Sequence, residues 1–228
     1  MKTHMDRELT ILKNRLLELA GDVNSSLNMS YKALIDVDKE LANQVIKHDE
    51  AIDEEEINIE EDSLKILALY QPVASDLREV ISILKINNDL ERIGDLSVNI
   101  CRYLKKIIKA GPVEVPELFH EMFPKVLHMM NLTIDCCYND KLATVIEVCN
   151  LDLEVDKLNK ELIMHITDRI SKNDGNLTQL MFFFSMTRTL ERTADYFTNI
   201  CEDIYYKVSG SIVRHHAELM TAEEEEDD

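Results

Sequence analysis

The sequence predicts an all-α protein built from two repeated three-helix bundles, and three observations lead to this prediction. Five Gly and four Pro in 228 residues leave few helix breakers. Apolar residues recur with the helical period of about 3.6 along most of the chain. Finally, residues 88–101 and 188–201 match at seven of fourteen positions, at an offset of 100 residues. A match at fixed spacing predicts duplication of one structural unit.

Three helices are predicted in the first half, over about residues 6–35, 36–70 and 75–108. Asp36 is predicted to cap the second helix, because its carboxylate can accept from the free amides of the next turn. Pro72 separates the second helix from the third. The apolar stripes predicted to face the core include Leu64 on the second helix and Leu77 on the third.

Three further helices are predicted in the second half, over about residues 117–142, 143–171 and 176–208. Asn176 and Gln179 resemble a capping box at the start of the last one. A cluster of Gly and Pro at residues 111–116 marks the junction of the halves. We therefore predict a first bundle over residues 1–112, a second over residues 113–215, and an acidic, disordered tail over residues 216–228.

The net charge of −19 argues against nucleic acid as a partner, because so acidic a surface repels phosphate backbones. The amino terminus reaches charged residues too early for a secretion signal, and no apolar run approaches the roughly 18 residues of a membrane span. We predict a cytoplasmic location without direct membrane insertion. Five cysteines with no C-x-x-C pair predict free thiols in the core.

Acidic residues recur at four-residue spacing on the third and sixth predicted helices. Steps of four advance about 40° around a helix, so each row occupies one face. The preceding helix of each half carries a matching pair of acids. The resulting metal-ligand candidates are Asp49, Asp53, Glu91, Asp95 and Asn99 in the first half, and Asp152, Asp156, Glu191, Asp195 and Asn199 in the second.

Oxygen ligands of this kind suit Mg, Ca, Mn or Fe ions, and zinc least. A simpler interpretation is a solvated face, with Arg92 paired to Asp95 and Arg192 to Asp195 at i, i+3. Repetition in both halves favours metal binding without naming the metal.

Three passages of the chain resemble the PhoU family of phosphate-signalling regulators, and the similarity extends from about residue 6 to Arg214 and His215. They are QPVASDLR at residues 71–78, LERIGD at residues 90–95 followed by Asn99, and the second copy from Glu191 to Asn199. The resemblance implies two three-helix bundles, with metal clusters in some members on the rows given above. Ala194, Leu158 and Lys160 depart from the family pattern, so the resemblance favours the first site.

The function implied by the resemblance is negative regulation of phosphate uptake and of the phosphate-starvation response. Its implied partners are the ATPase subunit of a phosphate ABC transporter and a sensor histidine kinase. The resemblance also implies a homodimer, which associates with the membrane through these partners. No motif supplies a nucleophile with its base, so we predict a protein that is not an enzyme. Two alternatives remain open: a metal-dependent phosphate-ester hydrolase and a ferritin-like metal store.

Overall fold

The computed structural model describes residues 2–211, with side chains from residue 4 onward. The predicted tail over residues 216–228 lies outside the described residues. Within them the regular elements are six helices. These are α1 (Lys2–Ile35), α2 (Lys39–Tyr70), α3 (Ala74–Lys109), α4 (Leu118–Asn139), α5 (Leu142–Ser171) and α6 (Leu177–Ser209).

The helices form two groups of three, which confirms the predicted all-α fold with a duplicated unit. Helices α1, α2 and α3 all contact one another, as do α4, α5 and α6. The two groups meet where α3 lies along α6 and where α1 touches α4. Ser82 bonds the Asp203 carbonyl near one end of the α3–α6 seam, and Gln179 bonds the Ile107 carbonyl near the other. The two helices therefore run antiparallel, and the boundary at residues 112 and 113 stays a prediction.

The start of α2 corrects one sequence prediction, because Asp38 rather than Asp36 caps this helix. The Asp38 carboxylate accepts from the amides of Glu40 at 2.8 Å and Leu41 at 3.0 Å. Asp36 instead belongs to the end of α1, where its amide bonds the Lys32 carbonyl. Val37 adopts a left-handed conformation with φ of 54°. This reversal of the chain moves the cap two residues further along.

The start of α6 confirms half of the predicted capping box. The Asn176 side chain accepts from the amides of Thr178 and Gln179. The Gln179 side chain does not return to Asn176; its amide group donates to the carbonyls of Ile107, Gly111 and Pro112. Gln179 thus ties the start of α6 to the end of α3 and the segment that joins the halves.

The core contains most of the predicted apolar stripe positions, but Leu64 and Leu77 are exceptions. Leu64 is 52% exposed and Leu77 is 39% exposed. On α2 the adjacent Ser63 takes the interior position, where its hydroxyl bonds the Ile59 carbonyl. All five cysteines are free, and Cys101, Cys136 and Cys201 are buried, as predicted. Across residues 2–211, each helix is too short or too polar to span a bilayer.

Candidate metal-binding faces

Four of the five predicted ligands in each half line the seam between two antiparallel helices. We call Asp49 and Asp53 on α2, with Glu91 and Asp95 on α3, the first acidic face. The second acidic face comprises their counterparts on α5 and α6: Asp152, Asp156, Glu191 and Asp195.

The first acidic face lies where α2 and α3 approach closely at Gly94. A Cβ atom on Gly94 would lie 3.3 Å from Cγ2 of Ile52 and 3.5 Å from Oδ1 of Asp49. Gly94 has no side chain, so α2 and α3 can approach closely at this point. The Asp49 carboxylate lies at the seam between them. The close approach of the two helices at Gly94 therefore lies directly beside the Asp49 carboxylate.

The carboxylates of the first acidic face repel one another across the seam. Burial, followed by the negative charges of Asp53 and Asp95, raises the pKa of Asp49 to about 6, while Arg102 and His48 oppose the change. Burial and Asp95 also raise the pKa of Asp53. The pKa of Glu91 is raised in turn, by burial and then by Asp95.

The second acidic face has the same arrangement with less compensation at its most buried acid. Burial, then the charges of Asp195, Asp156 and Glu191, raise the pKa of Asp152 to about 7. The charges that shift the pKa of Asp152 are all carboxylates, whereas Arg102 and His48 oppose the shift at Asp49. Burial followed by Asp156 raises the pKa of Asp195, which Arg192 opposes.

The two predicted amide ligands have other neighbours in the structure. Oδ1 of Asn99 accepts from the guanidinium of Arg102 at 3.5 Å. Asn199 lines an open groove between α3 and α6, together with Asp89 and Asp203. That these two amides join the acids as ligands stays a prediction.

The solvated-face interpretation also has support, because Arg92 pairs locally with two acids of the first face. Its guanidinium lies 3.5 Å from the Glu91 carboxylate and 3.8 Å from that of Asp95. Arg92 is about half exposed, so these ion pairs are screened by water.

The donor chemistry of both faces fits a hard cation, since every donor is a carboxylate oxygen. The raised pKa values of Asp49 and Asp152 indicate that their negative charges are unfavourable in the folded protein, and a bound cation would neutralise them. In the part of the chain from residue 4 to residue 211, no three carboxylate, imidazole or thiol groups already form a metal-binding cluster. The faces therefore offer suitable ligands in a region of unfavourable negative charge, but not a closed coordination shell.

One polar residue at the edge of the first face was missed by the sequence analysis. Asn87 is 1% exposed, and its amide nitrogen donates to the Glu56 carbonyl at 2.9 Å. Its Oδ1 is buried without a hydrogen-bond partner among the described residues. Asn87 precedes Glu91 by four residues, so extending the row by one step toward the amino terminus would have identified it.

Comparison with known proteins identifies the same two units. The PhoU domain matches twice, at residues 16–104 and 119–204. The chain is 31% identical over 210 residues to the phosphate-specific transport system accessory protein PhoU homolog 1 of Thermotoga maritima, covering 91% of this chain and 90% of that protein. It is 34% identical over 219 residues to the PhoU homolog of Pseudomonas putida, covering 95% of this chain and 85% of that protein.

Two crystal structures share the fold. The phosphate transport system regulatory protein PhoU from Streptococcus pneumoniae superimposes with a TM-score of 0.85 at 30% identity, over 92% of this chain and 99% of that one. PhoU from Pseudomonas aeruginosa gives a TM-score of 0.87 at 31% identity, over 90% of this chain and 99% of that one.

Proposed function

This chain belongs to the PhoU domain family, and on that premise we propose that it is a regulatory accessory protein of a phosphate-specific transport system. The observation that carries the proposal is the similarity, over nine-tenths of the chain, to proteins named as accessory proteins of that system. Its activity is negative regulation of phosphate uptake and of the phosphate-starvation response, exerted by binding other proteins rather than by catalysis.

Two partners follow from this proposal: the ATPase subunit of a phosphate ABC transporter and a sensor histidine kinase. The net charge of −19 supports docking against basic surfaces, since complementary charge speeds association and orients the partners. We place the protein in the cytoplasm as a homodimer that reaches the membrane through these partners.

Metal binding on the two acidic faces is a further part of the proposal. Asp49, Asp53, Glu91 and Asp95 would hold a cation on the first face, with Asp152, Asp156, Glu191 and Asp195 on the second. A bound cation would supply positive charge that neutralises the facing carboxylates. The chain itself provides the seams that bring acids from neighbouring helices together, as the mutual repulsion at Asp49 and Asp152 indicates.

The adaptor role can be tested by pull-down of the purified transporter ATPase and of the kinase's cytoplasmic part, beside phosphate uptake in cells that lack the protein. We expect specific capture of both partners and faster uptake in phosphate-rich medium without the protein. Capture of neither partner, together with unchanged uptake, would exclude the proposed function. Steady turnover of phosphate esters with added Mn²⁺, lost in Asp95→Ala, would favour the hydrolase alternative instead.

A further inference from the structure

The last two turns of α3 concentrate positive charge in a chain whose net charge is −19. Arg102, Lys106 and Lys109 follow one another at steps of four and three residues, so they share one face of the helix, and all three are exposed. Lys105 lies beside them and is half-buried. We call these four residues the basic face. The eight residues 102–109 thus hold four positive charges and no negative one.

The charges of the basic face are not paired with acids of the fold. Among residues 4–211, none of its four side chains forms an ion pair with a carboxylate. Lys85 and Lys207, near the opposite end of the α3–α6 seam, do form such pairs, with Asp203 and Asp140. The basic face therefore keeps its charge available for a further anionic group.

Aromatic rings help to hold one of these charges in place. The ring of Tyr103 on α3 stacks with that of Phe182 on α6, with 6.0 Å between the ring centroids. Nζ of Lys106 lies 5.9 Å from the centroid of Tyr103 and 5.0 Å from that of Phe182. Attraction to the two rings restricts the ammonium group in advance, which lowers the conformational entropy that it loses on binding an anion.

The repeated unit shows that the basic face is not a requirement of the fold. At the offset of 100 residues, Glu202 on α6 corresponds to Arg102, and Ser209 corresponds to Lys109. The same position of the second half is therefore acidic or neutral. Lysines in the last turn of α3 also suit the negative end of the helix macrodipole, but Arg102 lies before that turn.

The chain itself contains a segment of matching charge. Residues 223–228 are six consecutive acids and lie outside the described residues. Fourteen positions separate Ser209, at the end of α6, from Glu223, and that length of chain spans up to about 46 Å. Phe182, beside Lys106, precedes Ser209 by 27 positions, which is about 40 Å along the helix. The acidic segment is thus long enough to reach the basic face of its own chain.

We propose that the acidic residues 223–228 bind the basic face of the same chain through charge attraction. Glu202 and Asp203 lie near the end of α6, where the chain leaves the described fold, and they repel the acidic segment, whereas the basic face attracts it. The bound segment covers the basic face against other acidic partners. This contact does not rest on the proposed function in phosphate regulation.

Treatment of the folded, full-length protein with a carbodiimide tests this contact, because the reagent joins a carboxylate to an ammonium group only where the two touch. Peptide mapping should identify amide links from residues 223–228 to Lys105, Lys106 or Lys109. The linked protein should run at the mass of a single chain on a denaturing gel. The links should be lost at about 1 M NaCl, where the screening length falls to about 3 Å.

Two full-length variants that remove the same number of charges provide the control. Lys106→Gln combined with Lys109→Gln should lose most of the links, whereas Lys157→Gln combined with Lys160→Gln should retain them. All four lysines are exposed, so the fold should tolerate both changes. The unmodified protein giving no links from residues 223–228, links spread over lysines of both bundles, or links found only between two chains would each overturn the proposal. Equal loss of the links in both variants would overturn it as well.

Discussion

The two acidic faces are built on the same repeated unit, yet they compensate their buried charge differently. On the first face, Arg102 and His48 oppose the rise in the pKa of Asp49, which reaches about 6. On the second face, burial and three neighbouring carboxylates raise the pKa of Asp152 to about 7. The sequence resemblance favoured the first face because the second departs from the family pattern at Ala194, Leu158 and Lys160. In the structure, however, the carboxylate with the less compensated charge is Asp152, on the second face.

The number of candidate ligands on a face therefore does not by itself determine the electrostatic free energy that a bound cation would contribute. Glu56 and Glu60 add negative charge beside Asp53 of the first face, but Arg102 and His48 already offset part of the charge at Asp49. A carboxylate whose charge is less compensated gains more from a nearby cation.

Gly94→Leu should lower the free energy of unfolding by about 1–3 kcal/mol through overpacking of the α2–α3 seam. The new side chain would begin 3.3 Å from Ile52, where there is no room for it. Gly21→Leu is the matched control, because a Cβ there would meet nothing within 4 Å, and it should not destabilise the protein. Urea unfolding of both variants measures the effect; equal stability of the two would contradict a tight seam at Gly94.

Asp152→Asn should stabilise the metal-free protein by on the order of 1 kcal/mol, after allowance for solvent screening. The change removes a charge that burial and three carboxylates disfavour. Asp49→Asn should stabilise less, because Arg102 and His48 already offset part of the charge there. Thermal unfolding in chelator ranks the two variants, and a larger gain for Asp49→Asn would reverse the comparison.

The metal-free protein should become more stable as the pH falls from 8 toward 5. Asp49 and Asp152 have raised pKa values in the folded state, so the folded protein binds more protons than the unfolded chain in this range. The free energy of unfolding therefore increases as the pH falls toward the pKa of the unfolded carboxyl groups. Asp152→Asn should flatten this dependence near pH 7, and unfolding curves at a series of pH values measure it. An unchanged slope in the variant would assign the dependence to other groups.

Arg92→Gln should have the smallest effect, a loss of a few tenths of a kcal/mol in metal-free protein. The half-exposed guanidinium pairs with Glu91 and Asp95, and removing it leaves their repulsion less compensated. Arg192→Gln is the counterpart on the second face, where Arg192 opposes the rise in the pKa of Asp195. Urea unfolding of the two variants should give similar small losses; a loss above about 1 kcal/mol for either would show that these exposed arginines do more than screen the acids.

The fold could be predicted from the sequence because helical period and internal repetition are properties of the local chain. Spacing of four residues also predicted correctly that Glu91 and Asp95 share a face of one helix. The position of Asp38 as a cap could not be predicted in the same way, since it depends on the left-handed turn at Val37. Asn199 lines the α3–α6 groove. Each step of four residues advances about 40° around the helix, so the last residue of the row turns away from the first. Which residues Asn199 then meets depends on how the helices pack, which local spacing does not reveal.

The contacts of Gln179 illustrate the same limit. Its side chain donates to the carbonyls of Ile107, Gly111 and Pro112, which lie 67 to 72 positions earlier in the chain. Only the packing of α6 against α3 reveals these groups as neighbours. Sequence patterns therefore located the faces and the core, while the structure was needed to show which groups share a site.

Titration of chelator-treated protein with Mn²⁺, followed by calorimetry and thermal unfolding, tests cation binding on the two acidic faces. We predict binding at two sites with a rise in the unfolding temperature, since a ligand that binds only the folded state stabilises it. The combined Asp95→Asn and Asp195→Asn variant should lose both effects. Asp22→Asn, at an exposed position on α1, should retain them. Absence of Mn²⁺ binding by the unmodified protein, or equal binding by the combined variant, would contradict cation binding on the acidic faces.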